Sequence, residues 1–178
     1  MDEVEFKYCP VCSNLFEKIS TFSLQCNKCG YQYYVNPKPC NAVILKNSDG
    51  NILLVKRKFD PFKGSWDLPG GFIEPNESME DSIHREIMEE LGIKVDNIHY
   101  LKSYSDRYFY KSINYFTIGF VCTGTIKSSN IEANDDVEEI QFFNENDIPF
   151  DQIAFQSVKQ ALVDLFSLNK SISSKESK

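Results

Sequence analysis

The chain has 178 residues, a hydrophobic fraction of 42% and a formal net charge of −7. That length accommodates one domain of ordinary size plus a small module, with enough apolar content for a sizeable core. The acidic balance argues against broad nonspecific nucleic-acid binding, no apolar run approaches a membrane span, and the Met1-Asp2-Glu3 start lacks a signal-peptide pattern; a soluble, cytoplasmic protein is expected.

Residues 1–34 read as a separate module. Cys9-Pro-Val-Cys12 and Cys26-Asn-Lys-Cys29 are two C-x2-C pairs. In an unexported protein this spacing points to a four-thiolate zinc site rather than to disulfides. Gly30 suits the tight backbone of such a knuckle. Leu15, Phe16, Ile19, Phe22 and Leu24 are too few for an independent core, so a metal staple is needed. Four protein ligands leave no open coordination position, so Cys9, Cys12, Cys26 and Cys29 are expected to hold a structural Zn²⁺ in a zinc ribbon. Cys40 and Cys122 lie in apolar, strand-like contexts and are expected to be buried.

Residues 35–169 read as the main domain. Asn36-Pro-Lys-Pro39 links the two modules in extended form. Ala42–Leu45 and Ile52–Arg57 are two strands around a polar hairpin loop with Asp49-Gly50 at its tip. Lys56, Arg57, Lys58 and Lys63 cluster in an otherwise acidic chain. They read either as a solvated strand end or as a phosphate contact, with Arg57 the candidate. Trp66 and Leu68 alternate with polar neighbours, and Gly70-Gly71 permits a sharp turn that can present a backbone carbonyl.

Pro75-Asn76 marks a turn, Ser78 a helix N-cap with Asp81 three residues on, and Gly92 a helix stop. Between them Met79, Ile83, Ile87 and Leu91 recur every four residues, an apolar stripe along a helix. Glu86, Glu89 and Glu90 stand at i, i+3 and i+4 and therefore share one face. Three neighbouring carboxylates repel one another unless a cation sits among them, and an all-oxygen donor set suits Mg²⁺ or Mn²⁺. A solvated acidic face would explain these glutamates alone. It does not explain the register of Gly71, Glu77, Arg85 and Gly92 around them.

Beyond the helix, Tyr100, Tyr104, Tyr108, Phe109 and Tyr110 crowd a strand-like stretch, and Tyr115–Cys122 is a strong strand. These aromatics read as strand core or as a surface on which a base stacks, with Tyr104 and Tyr108 the candidates. Residues 130–139 form an acidic loop with Asp135, Asp136, Glu138 and Glu139, leading into the strand Ile140–Phe143. Phe155, Val158, Leu162, Leu165 and Phe166 follow helical spacing over Ala154–Leu168. The Ser/Lys-rich residues 170–178 are expected to be a disordered tail.

Gly71 to Ile93 resembles the Nudix box, G-x5-E-x7-R-E-U-x-E-E-x-G-U with U a bulky aliphatic, at every fixed position. A cysteine ribbon ahead of it resembles the zinc-containing NADH pyrophosphatases. The resemblance implies an α/β fold, an α/β/α sandwich with a mixed central sheet, that hydrolyses a nucleoside diphosphate linked to a second group. It implies catalytic roles for Glu86, Arg85 and Glu77. It implies Mg²⁺ or Mn²⁺ on Glu86, Glu89, Glu90 and the Gly70 carbonyl, with Glu77 and Arg85 paired and Glu86 as the base. A glutamate from a later loop, Glu138 or Glu139, could join this site, and Glu139 is also a candidate substrate contact. The sequence departs from the NADH enzymes at one point. Their Ser-Gln-Pro-Trp-Pro-Phe-Pro-type motif after the box is missing, and Leu101 to Tyr108 reads L-K-S-Y-S-D-R-Y. NAD(H), ADP-ribose, FAD and similar small diphosphates therefore all remain open as substrates, as does a nucleotide cap on RNA. A noncatalytic nucleotide- or nucleic-acid-binding module is the alternative, disfavoured by the intact glutamates. Nucleic acid is not the expected partner, no membrane partner is expected, and a homodimer is left open.

Overall fold

The computed structural model describes residues 6–111, 113–127 and 130–176, with the backbone alone for 170–176. The chain divides into two compact units, Met1–Lys38 with Arg107–Thr117, and Pro39–Asp106 with Ile118–Lys178. The first unit thus contains a chain segment far from the expected 1–34 module, which no linear reading of the sequence brings there.

In the first unit, β1 (Phe16–Ser20), β2 (Ser23–Cys26) and β3 (Gln32–Tyr34) form an antiparallel sheet in that order. Its inner side carries buried Leu24 and Cys26, with Tyr33 packed against Phe6 and Phe16 at ring distances of 5.1 and 6.3 Å. Two matching turns carry the cysteines. The Ser13 N–H donates to the Cys9 carbonyl at 2.8 Å, and the Gly30 N–H to the Cys26 carbonyl at 2.9 Å. Both donors have left-handed backbone, φ 56° and 74°. Gly30 adopts this without steric cost, as expected of a knuckle glycine. From the 107–117 segment, Phe116 meets Phe22 edge-on at 5.7 Å, and Tyr108 stacks on Tyr115 at 5.2 Å.

A second sheet has the order β6-β5-β4-β8-β7, with β9 also pairing β5. The strands are β4 (Lys38–Lys46), β5 (Ile52–Arg57), β6 (Trp66–Asp67), β7 (Asp96–Tyr110), β8 (Ile113–Thr125) and β9 (Val137–Phe143). Helix α1 spans Met79–Leu91 and α2 spans Gln156–Glu176. Strand alternation sorts the apolar residues into two layers. Val43, Leu45, Leu53 and Val55 pack with Ile83, Ile87 and Leu91 of α1. Ile44, Ile52 and Leu54 pack with Val158, Ala161, Leu162, Leu165 and Phe166 of α2. Strands covered on both faces must be apolar at successive positions, which is why Ala42–Leu45 and Ile52–Val55 read as uninterrupted runs. The expected α/β/α sandwich with a mixed sheet is present, antiparallel along β4, β5, β6 and β9 with a parallel bridge from Trp66 to Ile153. Cys122 is fully buried beneath α1, as expected, while Cys40 is half-buried.

The ends of α1 follow their sequence signals. The Ser78 hydroxyl accepts from the Asp81 N–H at 3.1 Å, and the Asp81 carboxylate accepts from the Ser78 N–H at 3.3 Å, a full capping box. Gly92 ends the helix at φ 65°, its N–H on the Met88 carbonyl at 3.0 Å. Helix α2 runs on to Glu176, past the expected end near 168. The expected tail therefore overlaps a helical backbone, and its side chains lie outside the described residues. Among the described residues, no helix is long and apolar enough to cross a membrane.

Because Ile87 is fully enclosed between α1 and the sheet, Ile87→Ala should cost roughly 2–5 kcal/mol of stability. Val163→Ala, on the exposed side of α2, should stay within about 0.5 kcal/mol. Urea denaturation of both variants checks this.

Candidate active site

The apolar stripe of α1 lies against the sheet, so the helix turns its box glutamates toward the Gly70-Gly71 turn. That turn is held by β4: the Val43 N–H donates to the Pro69 carbonyl at 2.9 Å and the Asn41 N–H to the Gly71 carbonyl at 2.8 Å. Gly70 is dictated by backbone crowding, whereas a side chain at Gly71 would displace the Glu86 carboxylate. A Cβ on Gly70 would lie 2.6 Å from the Asn41 carbonyl oxygen, and Gly70 has φ 135°. A Cβ on Gly71 would lie 2.5–2.8 Å from the Glu86 carboxylate.

Arg85 organises the carboxylates. Its Nε and Nη2 donate to the two oxygens of Glu77 at 2.6 and 2.9 Å, a bidentate pair. Its Nη1 donates to Glu86 at 2.8 Å and to Glu89 at 3.0 Å. Nη2 also reaches the Phe72 carbonyl at 3.1 Å, tying the helix to the chain leaving the glycine turn. These donors hold the Glu77 carboxyl down to about 2.

Glu90 is buried, and its Oε2 accepts from the Gly70 N–H at 3.0 Å. Residue 70 is thereby set against the carboxylate face. Burial, and then the charge of Asp136, push the Glu90 carboxyl well above the usual range. Burial raises Glu86 too, against the pull of Arg85. Glu89 is about half exposed. Among the described residues Glu90 has no cationic partner, and Glu86 shares the single Arg85 charge with Glu77 and Glu89. Hard oxygen donors that repel one another fit a divalent cation such as Mg²⁺ or Mn²⁺.

Asn41 and Asp67 belong to this site although the sequence reading passed over them. Asn41 is buried, and its Nδ2 donates to the Ser82 hydroxyl of α1 at 2.8 Å. It therefore joins β4, the glycine turn and the helix. Asp67 is buried and ion-paired with Arg57 at 2.9 Å, yet burial still raises its carboxyl to about 6. A cleft beside Glu90 is lined by Lys56, Arg57, Asp67, Gly70 and Asp136 with apolar neighbours. No local pattern marks Asn41 or Asp67; each acquires its place through strand pairing.

The other candidates fall in different places. Arg57 lines the cleft, but its guanidinium is tied to Asp67 and to the Pro61 carbonyl at 2.8 Å and lies 5.2 Å over Phe155. Glu139 pairs with Lys56 at 2.8 Å on the neighbouring strand. Tyr104 is buried in the α2-side core, its hydroxyl donating to Asp164 at 2.9 Å. Tyr108 belongs to the first unit, stacked on Tyr115.

The four ribbon cysteines converge as a separate cluster. Their sulfurs all lie within 4.8 Å of one another, with Cys9–Cys29 at 3.7 Å and Cys12–Cys26 at 3.4 Å. Four thiolates about 2.3 Å from one tetrahedral zinc would be about 3.8 Å apart, so the residues present fit that ion.

Comparison with known proteins agrees with this geometry. The NUDIX domain profile matches residues 37–164. The chain is 36% identical over 131 residues to an ADP-ribose pyrophosphatase of Methanocaldococcus jannaschii, covering 72% of this chain and 73% of that one. It is 28% identical over 148 residues to the NAD-capped RNA hydrolase NudC of Pseudomonas aeruginosa, covering 83% of this chain but only 50% of the relative. A crystal structure of a NUDIX hydrolase from Nitrosomonas europaea superposes with a TM-score of 0.65 at 26% identity, over 88% of each chain. The profile spans the sandwich, the glycine turn and the whole carboxylate helix, and on that ground the chain belongs to the Nudix family of hydrolases, which act on pyrophosphate bonds.

Proposed function

We propose that this hydrolase cleaves the pyrophosphate of a small nucleoside diphosphate derivative of the ADP-ribose or NAD type, using Mg²⁺ or Mn²⁺ held by Glu86, Glu89, Glu90 and the Gly70 carbonyl. The observation that carries it is the Arg85-centred carboxylate array against the glycine turn. Similarity to the M. jannaschii enzyme over most of both chains supports ADP-ribose as the first substrate to try. A divalent cation at this face would neutralise diphosphate charge and acidify a water molecule. The chain's own residues do the rest. Arg85 fixes the direction of Glu86 and Glu89, and Glu77 fixes Arg85. Glu86, raised by burial, is the group to take a proton from the attacking water. Lys56 and Arg57 bring positive charge to the cleft rim, where a phosphate oxygen would lie.

A second reading, removal of an NAD-type cap from RNA, has two supports. One is the match to the Pseudomonas relative, which covers 50% of that protein's length. The other is charge: the first unit carries Lys7, Lys18, Lys28, Lys38, Arg107 and Lys111 against Asp2, Glu3, Glu5 and Glu17, a slight basic excess in an acidic chain. The cysteine cluster is read as a structural Zn²⁺ site under both.

A panel of ADP-ribose, NAD(H), FAD and NAD-capped RNA, incubated with Mg²⁺ and resolved by product, tests the reading. Hydrolysis of the small diphosphates to two monophosphates is expected; nucleotide-independent inactivity across the panel would contradict it. On the best substrate, Glu86→Gln should lower turnover by about two to three orders of magnitude with folding intact. Glu80→Gln, in the first turn of α1 and outside the array, should be near neutral. Full turnover by Glu86→Gln would remove Glu86 from the chemistry. Elemental analysis of protein purified without added metal should find about one zinc per chain, lost together with the folded first unit in Cys26→Ser. A zinc-free protein with that unit folded would contradict the structural site.

A further inference from the structure

Asn41 is almost fully buried, and half of its amide is unsatisfied: among the described residues, nothing donates to its Oδ1. A buried acceptor without a donor is costly, so an apolar residue would serve β4 better if packing were the whole role of this position. The other half of the amide shows what is gained. Its Nδ2 donates to the Ser82 hydroxyl of α1 at 2.8 Å, a buried contact between strand and helix.

Ser82, itself fully buried, passes the contact on. Its hydroxyl donates to the Phe72 carbonyl at 3.3 Å and accepts a second, longer bond from Arg85 Nη2 at 3.4 Å. A hydroxyl has one donor and two acceptor positions, so Phe72, Asn41 and Arg85 use it completely. The Phe72 carbonyl also receives Arg85 Nη2, at 3.1 Å, and the same nitrogen holds Glu77 at 2.9 Å. One edge of the guanidinium thus rests on Ser82 and Phe72, with Asn41 behind them. On the turn side, the Asn41 N–H holds the Gly71 carbonyl at 2.8 Å. Its Oδ1 stands 2.7 Å from the point that a Cβ on Gly70 would occupy. A single side chain is therefore set against the glycine turn and, through one hydroxyl, against Arg85.

We propose that Asn41 and Ser82 are positioning residues for the hydrolysis. Through the Ser82 hydroxyl they set the plane of the Arg85 guanidinium relative to the Gly70-Gly71 turn, and with it the directions of Glu86 and Glu89. The proposal rests on the reading of the α1 glutamates as the seat of the metal and the chemistry. A tilted guanidinium leaves those carboxylates present but wrongly spaced. Metal affinity and turnover then fall, while capture of substrate at the cleft rim does not.

The test compares Asn41→Ala, Ser82→Ala and the double variant, each as the zinc-loaded full chain. Mn²⁺ binding is followed by electron paramagnetic resonance of the free ion, and kcat and KM are measured on the best small diphosphate. Each single variant should lose about tenfold or more in Mn²⁺ affinity and in kcat, the size of effect seen when a group orienting a metal ligand is lost. KM should stay within about twofold of the parent. The double variant should be no worse than the poorer single one, because both residues act along one path. Ser82→Ala removes one oxygen from a helix that favours alanine, so it decides the matter alone if Asn41→Ala does not fold. Parental Mn²⁺ affinity and kcat in the folded single variants would overturn the proposal, as would a lower urea midpoint with both unchanged. A rise in KM alone, or losses that multiply in the double variant, would overturn it too. Glu89→Gln reports on the underlying reading. Weakened Mn²⁺ binding there, with parental behaviour in Asn41→Ala and Ser82→Ala, would remove the proposal and leave that reading standing. Parental Mn²⁺ binding in Glu89→Gln would overturn the reading and the proposal with it.

Discussion

One guanidinium holds together a group of carboxylates that would otherwise push apart. Arg85 spends its donors on both oxygens of Glu77, on Glu86, on Glu89 and on the Phe72 carbonyl, all within 2.6–3.1 Å. Only a planar fork can serve so many acceptors in one plane; a lysine ammonium at this position would satisfy fewer and fix none in direction. Even so, one positive charge does not balance the face. Among the described residues, Glu90 has only the Gly70 N–H, with Asp136 and Asp67 adding to its negative surroundings. The site is therefore rigid in geometry and deficient in positive charge, a deficiency that a divalent cation would resolve.

The sandwich exists around this site in a specific sense. Successive residues of β4 and β5 supply both layers of the core, so α1 and α2 are fixed to opposite faces of one sheet. β4 then does a second job beyond packing. Its Asn41 binds the glycine turn through the backbone and Ser82 of α1 through the side chain. Because Gly70 and Gly71 carry no Cβ, the turn can approach Asn41 and the Glu86 carboxylate more closely than any other residue would allow. Strand, turn and helix are thus locked in a triangle whose interior is the carboxylate face.

Much of this was legible in the chain, for identifiable reasons. The helix limits were readable because Ser78, Asp81 and Gly92 act through local backbone bonds. The knuckles were readable because a C-x2-C turn with Gly30 after it has few solutions. Asp67 and Asn41 were not readable, since each becomes important only through a partner brought by strand pairing: Arg57 for one, the glycine turn for the other. That Glu139 pairs with Lys56 became visible only through the β5–β9 register. Tyr104 shows the converse. Its place in an aromatic stretch fits a base-stacking role, but its side chain packs beneath α2 and bonds to Asp164. The grouping of residues 107–117 with the ribbon is a long-range contact with no signature in either segment.

The central claim is that the box glutamates of α1, facing the Gly70-Gly71 turn, are the seat of the divalent metal. Anomalous diffraction from crystals grown with Mn²⁺ tests it most directly, because the signal locates the ion without reference to any assay. The account predicts manganese density within about 2–2.6 Å of oxygens from Glu86, Glu89 or Glu90 and beside Gly70, the range for hard oxygen ligands. Manganese bound in ordered fashion elsewhere on the chain, with this face left without density, would contradict it.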